Sequence, residues 1–376
     1  MRSTLLQPPK YRQVYEALLR QIVAGRVPAG GRLPSEADLV QQFGASRITV
    51  ARALRELQLA GWIERRAGSG SFVRPRGGTA THPLSFGVLI PDFGEVEIFT
   101  DIARGLMEAS GAVPHALVWG SSARSTEGAH DAHPVDPREV CAQYIARRVD
   151  GVLFAPLEHT PTRLEVNRQV ADSLAAARIP LVLLDRSIEP YPNRGLHDLV
   201  ALDNRRAGAR ITSHLIAQGC VRPAFIGLPE AASSVDARAA GFRDAVLQAG
   251  LDPTGSQIWR EDPSDRGRIT TLLSSGRPDG FVCASDRTAA RLMHTLLSTG
   301  IRIPDDVRMV GIDDVSYASL LPVPLTTLRQ PCREIGAASV AALHERVMRP
   351  DLPPRDILLH GTLVVRRSCG ALSTKH

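Results

Sequence analysis

The sequence predicts two folds in one chain: a small, mostly α-helical N-terminal module with a β-hairpin, and a larger two-lobed α/β domain with parallel sheets. The chain has 376 residues, more than one ordinary domain needs. Residues 1–78 carry 13 Lys and Arg against 5 Asp and Glu, whereas the rest carries 32 against 34. After residue 84, short apolar runs alternate with amphipathic segments. A basic module beside a neutral body is expected where the module binds a polyanion.

The N-terminal module contains three helical patterns. In YRQVYEALLRQIVAG, apolar residues recur at helical spacing up to Gly25. LPSEADLVQQFG offers Ser35 as N-cap with Asp38 three residues later, which is a capping-box pattern, and it ends at Gly44. ASRITVARALRELQLAG begins at Ser46, another good N-cap. The last two helices, joined by a short turn, predict a helix-turn-helix, whose second helix enters the DNA major groove.

The third helix has two different faces. Its apolar stripe, predicted to pack inward, comprises Val50, Ala53, Leu54 and Leu57. Its outer face and flanks carry Arg47, Ile48, Thr49, Ala51, Arg52 and Arg55. A solvated surface helix would also fit this pattern, but arginines near the helix N-terminus favour DNA binding. Arginine pairs bidentately with guanine, and Ile48 fits a thymine methyl group.

A hairpin is predicted in WIERRAGSGSFV, with a turn through Gly68 to Gly70. A hairpin after a helix-turn-helix makes a winged helix. The motifs G-x-L-PSE, SR-x-TV-x-AL, L-x-x-x-G-W-I and G-x-G-x-FV together closely resemble the GntR-type winged-helix domain. The resemblance implies that Tyr11, Ser35 and Thr49 contact phosphates, that Arg47 and Arg52 approach bases or backbone, and that Arg66, Gly68, Ser69 and Gly70 reach the minor groove. Ala51 departs from the arginine often found there, so the operator should differ at that point.

Residues 74–83 are rich in Pro, Gly and Thr and predict a linker. The strand candidates that follow are FGVLI, ALVW, GVLFA, PLVLL, LVAL, PAFIG, GFVC and RMVGI, with helical segments between them. This alternation predicts βαβ units. Its landmarks, above all FVCASDRTAARLMHTL, GIRIPDDVRMVGIDD and PLTTLRQP, resemble the sugar-sensing domain of LacI-type regulators, which is akin to periplasmic binding proteins. Residues 120–135 and 157–170 fit poorly and are interpreted as insertions.

Five residues are candidates for effector binding. By resemblance, Asp286 and Arg238 occupy positions that contact ligand hydroxyls, and Phe99 occupies the position of an aromatic ring that stacks on the ligand. Asp286 and Arg186 also follow apolar strands, where open α/β sheets bind ligands. Asp262 completes the set. The alternatives are an N-cap role for Asp286, a surface role for Arg238 and a core role for Phe99. Asp313 and Asp314 are interpreted as hinge or turn residues, and Asp203 with Asn204 as a helix start.

Several other chemistries are disfavoured. A pyridoxal-phosphate domain, which some GntR-type regulators carry, needs a lysine, and the two lysines, Lys10 and Lys375, lie near the ends. The strand pattern argues against a helical metal-binding effector domain. The motif HDAH at 130–133, with His115 nearby, is short of a four-ligand metal site. The five scattered cysteines form no CxxC pair and indicate free thiols in a reducing compartment.

The sequence therefore predicts a cytoplasmic transcriptional regulator of arabinose-repressor-like architecture, not an enzyme. Its expected domains are residues 1–74 for DNA binding, a linker at 75–83, and residues 84–372 for effector binding and dimerisation. We expect it to be a homodimeric repressor of carbohydrate uptake or catabolism genes that a sugar or sugar derivative releases from a pseudo-palindromic operator. No cofactor, metal, catalytic residue or membrane partner is expected. The alternatives are a dimeric regulator that needs no ligand and, more remotely, a sugar-processing enzyme.

Overall fold

The structure is a computed structural model that describes residues 10–23, 26–28, 30–59, 62–66, 70–73, 84–91, 97–112, 115–120, 136–252 and 255–371. The chain divides into two compact units, Met1–Pro83 and Leu84–His376. The predicted linker, residues 75–83, lies outside the described residues, as do residues 121–135 of the first predicted insertion. No helix in the described part is long and apolar enough to cross a membrane.

The first unit is a winged helix-turn-helix, as predicted. It consists of α1 (Lys10–Val23), α2 (Glu36–Phe43), α3 (Arg47–Leu59), β1 (Ile63–Arg66) and β2 (Gly70–Val73). Ser35 and Asp38 form the expected capping box at the start of α2, and Gly44 ends that helix in the left-handed conformation, with φ 55°. The apolar stripe of α3 packs into one core with Leu18, Leu39 and Ile63. Helix periodicity and capping residues thus explain where the helices of this unit lie and end.

The wing has a third element that the sequence did not suggest. Strands β1 and β2 pair antiparallel from Ile63 opposite Val73 to Arg66 opposite Gly70. Behind them, the segment before α2 adds backbone hydrogen bonds: Leu33 N–H donates to the Ser71 carbonyl at 2.9 Å, and Val73 N–H donates to the Gly31 carbonyl at 2.9 Å. The hairpin is therefore anchored to the helices by backbone pairing.

The second unit contains two lobes, each built on a six-stranded sheet. The helices are α4 (Glu97–Ala112), α5 (Pro137–Arg147), α6 (Arg163–Ala176), α7 (Asn204–Ala217), α8 (Ser233–Gln248), α9 (Arg266–Gly276), α10 (Asp286–Ser298) and α11 (Cys332–Met348). The strands are β3 (Ser85–Leu89), β4 (Ala116–Trp119), β5 (Gly151–Phe154), β6 (Leu181–Leu184), β7 (Asp198–Leu202), β8 (Pro223–Gly227), β9 (Ile258–Arg260), β10 (Gly280–Cys283), β11 (Arg308–Asp313), β12 (Thr326–Arg329), β13 (Asp356–Leu359) and β14 (Thr362–Val364).

The sheet order shows how the chain passes between the lobes. The first lobe has the order β13-β7-β6-β5-β3-β4, and the second has β14-β12-β11-β10-β8-β9. All pairs are parallel except β12 with β14. Helix α11 packs on strands of the first lobe and β14 belongs to the second, so the chain crosses between lobes three times. All eight predicted strands are present, and this confirms the two-lobed α/β fold with parallel sheets.

Each lobe contains one tightly packed helix pair with glycines at the crossing. In the second lobe, a Cβ on Gly241 of α8 would lie 1.9 Å from the Arg205 carbonyl oxygen, and a Cβ on Gly208 of α7 would lie 2.1 Å from the Arg238 carbonyl oxygen. In the first lobe, Gly105 of α4 and Gly336 of α11 have the same role. Only glycine permits this backbone approach. In the second lobe, this packing fixes the position of Arg238, which matters for the site below.

Candidate DNA-binding surface and ligand cavity

The outer face of α3 is exposed and basic. Ser46 caps the helix, because its Oγ accepts a hydrogen bond from Thr49 N–H at 3.2 Å. The Ile48 side chain is 83% exposed, a large apolar surface to leave in water, and the Arg47 side chain is 85% exposed. Arg52 and Arg55 are exposed too. The predicted inward and outward faces of α3 are therefore found, and Thr49 lies between them, half-buried.

Two residues, Tyr11 and Glu36, hold basic side chains of this surface in place. The Arg52 guanidinium lies 3.9 Å from the centroid of the Tyr11 ring, a cation–π contact that ties α3 to α1. Glu36, at the start of α2, lies 3.6 Å from Arg47 and forms a short hydrogen bond with Arg65 of the wing. Glu36 thus joins α2, α3 and the wing. The pKa of Asp38, the capping partner of Ser35, is lowered by the hydrogen bonds that it accepts from Ser35.

The predicted wing-tip contacts lie mostly outside the described residues. This applies to Gly68, Ser69 and the side chain of Arg66. Gly70 is described and has φ 110°, a conformation that favours glycine. A Cβ at Gly70 would lie 2.9 Å from the Arg32 Nε, so the backbone of Gly70 packs against this basic side chain.

In the second unit, a cavity of about 380 Å³ lies where the two lobes meet. That volume is in the range of small-molecule sites. Residues from the carboxyl ends of several strands line it, including Asp185 after β6, Ala284 after β10 and Asp313 at the end of β11. This is the place where open α/β sheets bind ligands.

Arg186 lines the cavity, and acidic residues surround it. Its Nε donates to Asp185 Oδ2 at 3.0 Å, and its Nη1 pairs closely with Glu158. Burial opposes ionisation of Glu158, but the charges of Arg186 and His159, together with the hydrogen bonds from Ala232 N–H and Arg186, outweigh it and hold the pKa of Glu158 below its usual value. The other oxygen of Asp185, Oδ1, is buried and has no hydrogen-bond partner among the described residues. An unsatisfied carboxylate oxygen at a cavity wall suits a ligand hydroxyl.

Arg238 also lines the cavity and is 4% exposed. Its Nε donates to Asn204 Oδ1 at 2.8 Å, and its Nη1 donates to the Ala284 carbonyl at 2.5 Å and lies 3.8 Å from Asp313 Oδ1. Asp203 caps α7 by accepting from Arg206 N–H, which confirms the predicted helix start and presents Asn204 to Arg238. Arg238 is therefore held in place as part of the cavity wall.

Asp313 corrects the sequence interpretation. It was predicted as a hinge or turn residue, and its backbone is in fact turned, with φ 132°. However, its side chain lines the cavity, where it faces Arg238 and accepts a hydrogen bond from Gln330 Nε2 at 2.7 Å. Burial raises the pKa of Asp313. Asp185 has a positive φ of 66° as well, and such strained positions concentrate at functional sites.

Asp286, the predicted carboxylate contact, lies behind the wall instead. It is fully buried, and its oxygens accept hydrogen bonds from the N–H groups of Asp314 and Val315 and from the Thr327 hydroxyl. It is not among the residues that line the cavity, and the N-cap of α10 is Ser285. Burial, followed by the nearby Asp313, raises the pKa of Asp286. Asp286 therefore positions the turn that carries Asp313.

Phe99 and Asp262 are not in the cavity wall either. Phe99 is fully buried in the core of the first lobe, and its ring centroid lies 5.2 Å from the Arg186 guanidinium, so it packs under Arg186. Its neighbours on α4, Ile98 and Thr100, line the cavity because helical rotation turns Phe99 the other way. Asp262 is exposed, and its Oδ1 accepts from Ser264 N–H in the turn before α9.

The two lobes are joined by hydrogen bonds on both sides of the cavity. On one side, Glu97 of α4 accepts from the Ser316 N–H at 2.6 Å and from its hydroxyl at 3.0 Å. On the other side, Glu158 accepts from the Ala232 N–H at 3.2 Å, and the Ser233 hydroxyl donates to the Ser187 carbonyl at 3.0 Å. The cavity is thus held closed by polar contacts that an opening motion would break.

Sequence reasoning missed Glu158, Asp185 and Asp313 as wall residues. Asp185 and Asp313 do have a signal, because each ends a run of buried strand residues, as in LVLLD and VGID. Glu158 lies in the segment interpreted as an insertion, and nothing in its local sequence identifies it. No group of three potential metal ligands occurs in the described part of the chain, and the HDAH motif lies outside it.

Comparisons with known proteins agree with both folds. The model of bacterial regulatory proteins of the gntR family matches residues 10–73, and that of the periplasmic binding protein-like domain matches residues 212–369. The chain is 27% identical to an arabinose metabolism transcriptional repressor of Geobacillus stearothermophilus, over 96% of this chain and 97% of that protein. It is 30% identical to the ribose operon repressor of Escherichia coli (strain K12), over 59% of this chain and 66% of that protein.

Two solved structures have the same fold. The regulator CelR in complex with cellobiose covers 96% of this chain and 100% of its own, with a TM-score of 0.62 at 22% identity. A LacI family regulator from Enterococcus faecium with bound ribose covers 76% of this chain and 98% of its own, with a TM-score of 0.60 at 22% identity.

Proposed function

We propose that this chain is a sugar-responsive transcriptional repressor. Residues 10–73 match the gntR family of regulators, and we assign the LacI-type, periplasmic-binding-protein-like effector domain to residues 84–372, of which 212–369 match that family model. The single observation that supports this best is that an exposed basic recognition helix and a closed, charged cavity occur in one chain. Relatives named as repressors of arabinose metabolism and of the ribose operon support carbohydrate genes as the targets. The protein would act in the cytoplasm.

DNA binding rests on the recognition surface. The major groove would be contacted by Arg47, Ile48, Arg52 and Arg55. The phosphates would be contacted by Tyr11, Ser35 and Thr49, and the minor groove by the wing. One module reads only a half-site, so we propose a homodimer on a pseudo-palindromic operator. Because arginines displace counterions from DNA, operator affinity should fall steeply as salt rises.

Effector binding rests on the inner wall of the cavity. Asp185 and Asp313 supply acceptors, and Arg186 and Arg238 supply donors, which together suit the vicinal hydroxyls of a sugar. A sugar that binds the closed form would stabilise the contacts between the lobes. It changes operator affinity only if the closed and open forms differ in that affinity.

Two measurements test this function. Selection of DNA sites from a random pool should return a site with two symmetric halves, and selection of a single half-site would contradict the homodimer. A thermal-shift panel of pentoses, hexoses, disaccharides and their phosphorylated and acidic derivatives should identify one compound that stabilises the protein by about 2.7 kcal/mol at 100 times its Kd. Asp313→Asn should weaken that effect and leave DNA binding intact. A panel with no stabilising sugar would favour the ligand-independent alternative.

A further inference from the structure

The charges around the cavity are not all paired. Four carboxylates and four guanidiniums line it: Glu97, Glu158, Asp185, Asp313, Arg186, Arg238, Arg287 and Arg291. Arg186 is bonded to Asp185 and Glu158, Arg238 faces Asp313, and Glu97 is held by Ser316. Within the described residues, the protein's own contacts therefore engage all four of these carboxylates but only two of these four guanidiniums.

The remaining two guanidiniums belong to Arg287 and Arg291, which lie one turn apart on α10. Among the described residues, neither has a hydrogen bond or an ion pair for its guanidinium group. Residues i and i+4 lie on the same face of a helix, so both arginines approach the cavity from one side. Arg287 is exposed and Arg291 is half-buried, which puts the pair toward the mouth of the cavity.

The surroundings of this pair also favour negative charge. Ser285 and Thr288, at the N-terminus of the 13-residue helix α10, line the same cavity. The unpaired N–H groups and the dipole of a helix N-terminus attract anions. The one carboxylate in the first turn, Asp286, is directed away into the lobe, where it accepts hydrogen bonds from the Asp314 N–H and the Thr327 hydroxyl.

We propose that the effector is an anionic sugar derivative, a sugar phosphate or a sugar acid, whose anionic group is bound by Arg287 and Arg291 while its hydroxyls contact the inner wall. This inference rests on the proposed sensor function and names the chemical class of the effector. Arginine binds phosphate and carboxylate groups through paired N–H donors, so two adjacent guanidiniums form a suitable subsite. A neutral sugar would leave the positive charges of Arg287 and Arg291 side by side at the mouth of the cavity without a negative group between them.

The test compares matched ligands on the full chain. Isothermal titration calorimetry would measure glucose against glucose 6-phosphate and glucuronate, ribose against ribose 5-phosphate, and arabinose against arabinose 5-phosphate and arabinonate, with inorganic phosphate as a bare anion. We expect an anionic member of one set to bind at least tenfold tighter than its neutral parent. In Arg287→Gln/Arg291→Gln, this preference should disappear, whereas binding of the neutral parent should stay within about twofold.

The matched control is Arg243→Gln, which removes an exposed arginine of α8 that does not line the cavity. It should retain the full preference. If the phosphate but not the acid gains affinity, the subsite is for phosphate, and the converse result assigns a carboxylate. If neutral and anionic ligands bind equally, or if the double variant keeps the preference, the subsite is refuted while the sensor function stands. If no sugar, derivative or phosphate binds at all, both proposals fail.

Discussion

The two units of this protein carry their functional residues in opposite ways. In the winged helix, the proposed DNA contacts are exposed side chains of one short helix and its neighbours, and Ile48 and Arg47 are more than four-fifths exposed. In the two-lobed unit, the inner wall consists of buried charges from distant parts of the chain, with Arg186 and Arg238 at 3% and 4% exposure. Substitutions at the first site should therefore alter binding alone, whereas those at the second should also alter stability.

The largest effect is expected for Arg238→Met. This substitution leaves Asn204 and Asp313 without their buried partner, and removing one member of a buried ion pair costs about 3–5 kcal/mol. Differential scanning calorimetry should show a lower melting temperature for the transition of the two-lobed unit and an unchanged one for the winged helix. A normal melting temperature would mean that Arg238 is not a fixed part of the wall.

A smaller loss is expected for Gly241→Ala. The added Cβ would meet the Arg205 carbonyl oxygen and force α7 and α8 apart, at a cost of about 1–3 kcal/mol. The control is Gly111→Ala on α4, where a Cβ meets no atom within 4 Å, so that the better helix propensity of alanine should add up to about 1 kcal/mol. Urea unfolding curves distinguish the two, and equal effects would refute the close packing.

On the DNA side, Arg52→Ala should weaken operator binding by about 1–3 kcal/mol, about 5- to 150-fold, without changing the melting temperature of the two-lobed unit. Ile48→Ala should have a smaller effect and relax the preference for one T·A pair. Fluorescence anisotropy with single-base operator variants measures both. Arg20→Ala, an equal loss of charge on α1, is the control. If Arg20→Ala lost as much operator affinity as Arg52→Ala, the net charge of the unit and not the α3 surface would determine DNA binding.

The buried carboxyls of Asp286 and Asp313 predict a pH dependence for the stability of the two-lobed unit. Because the pKa values of Asp286 and Asp313 are raised in the folded state, the folded protein holds their protons more tightly than the unfolded chain. Stability from these groups is therefore lost as pH rises from about 4, the usual aspartate value, toward the raised pKa values. In Asp286→Asn, which can still accept from the two N–H groups and donate to Thr327, this loss should be reduced. If the stability of Asp286→Asn depended on pH in the same way as that of the wild type, Asp286 would not be a source of this loss.

Local patterns predicted the fold, and they predicted the cavity only in part. Helix periodicity and the caps at Ser35 and Gly44 depend only on residues that are neighbours in the chain, so they can be recognised in the sequence. Whether Asp286 or Asp313 faces the cavity depends on how α10 and β11 pack against each other, which no local pattern records. The placement of Phe99 in the core could not be predicted for the same reason, because one helical step separates the core from the cavity wall.

The central claim is that the occupied cavity controls operator binding. The most direct test measures the Kd for the selected operator with and without the tightest-binding sugar compound, in the wild type and in Asp185→Asn. The account predicts that the compound weakens wild-type binding at least about fivefold, within the usual range of allosteric coupling. It also predicts that the variant binds free operator normally and responds much less. A compound that binds the protein and leaves the operator Kd unchanged would contradict the account.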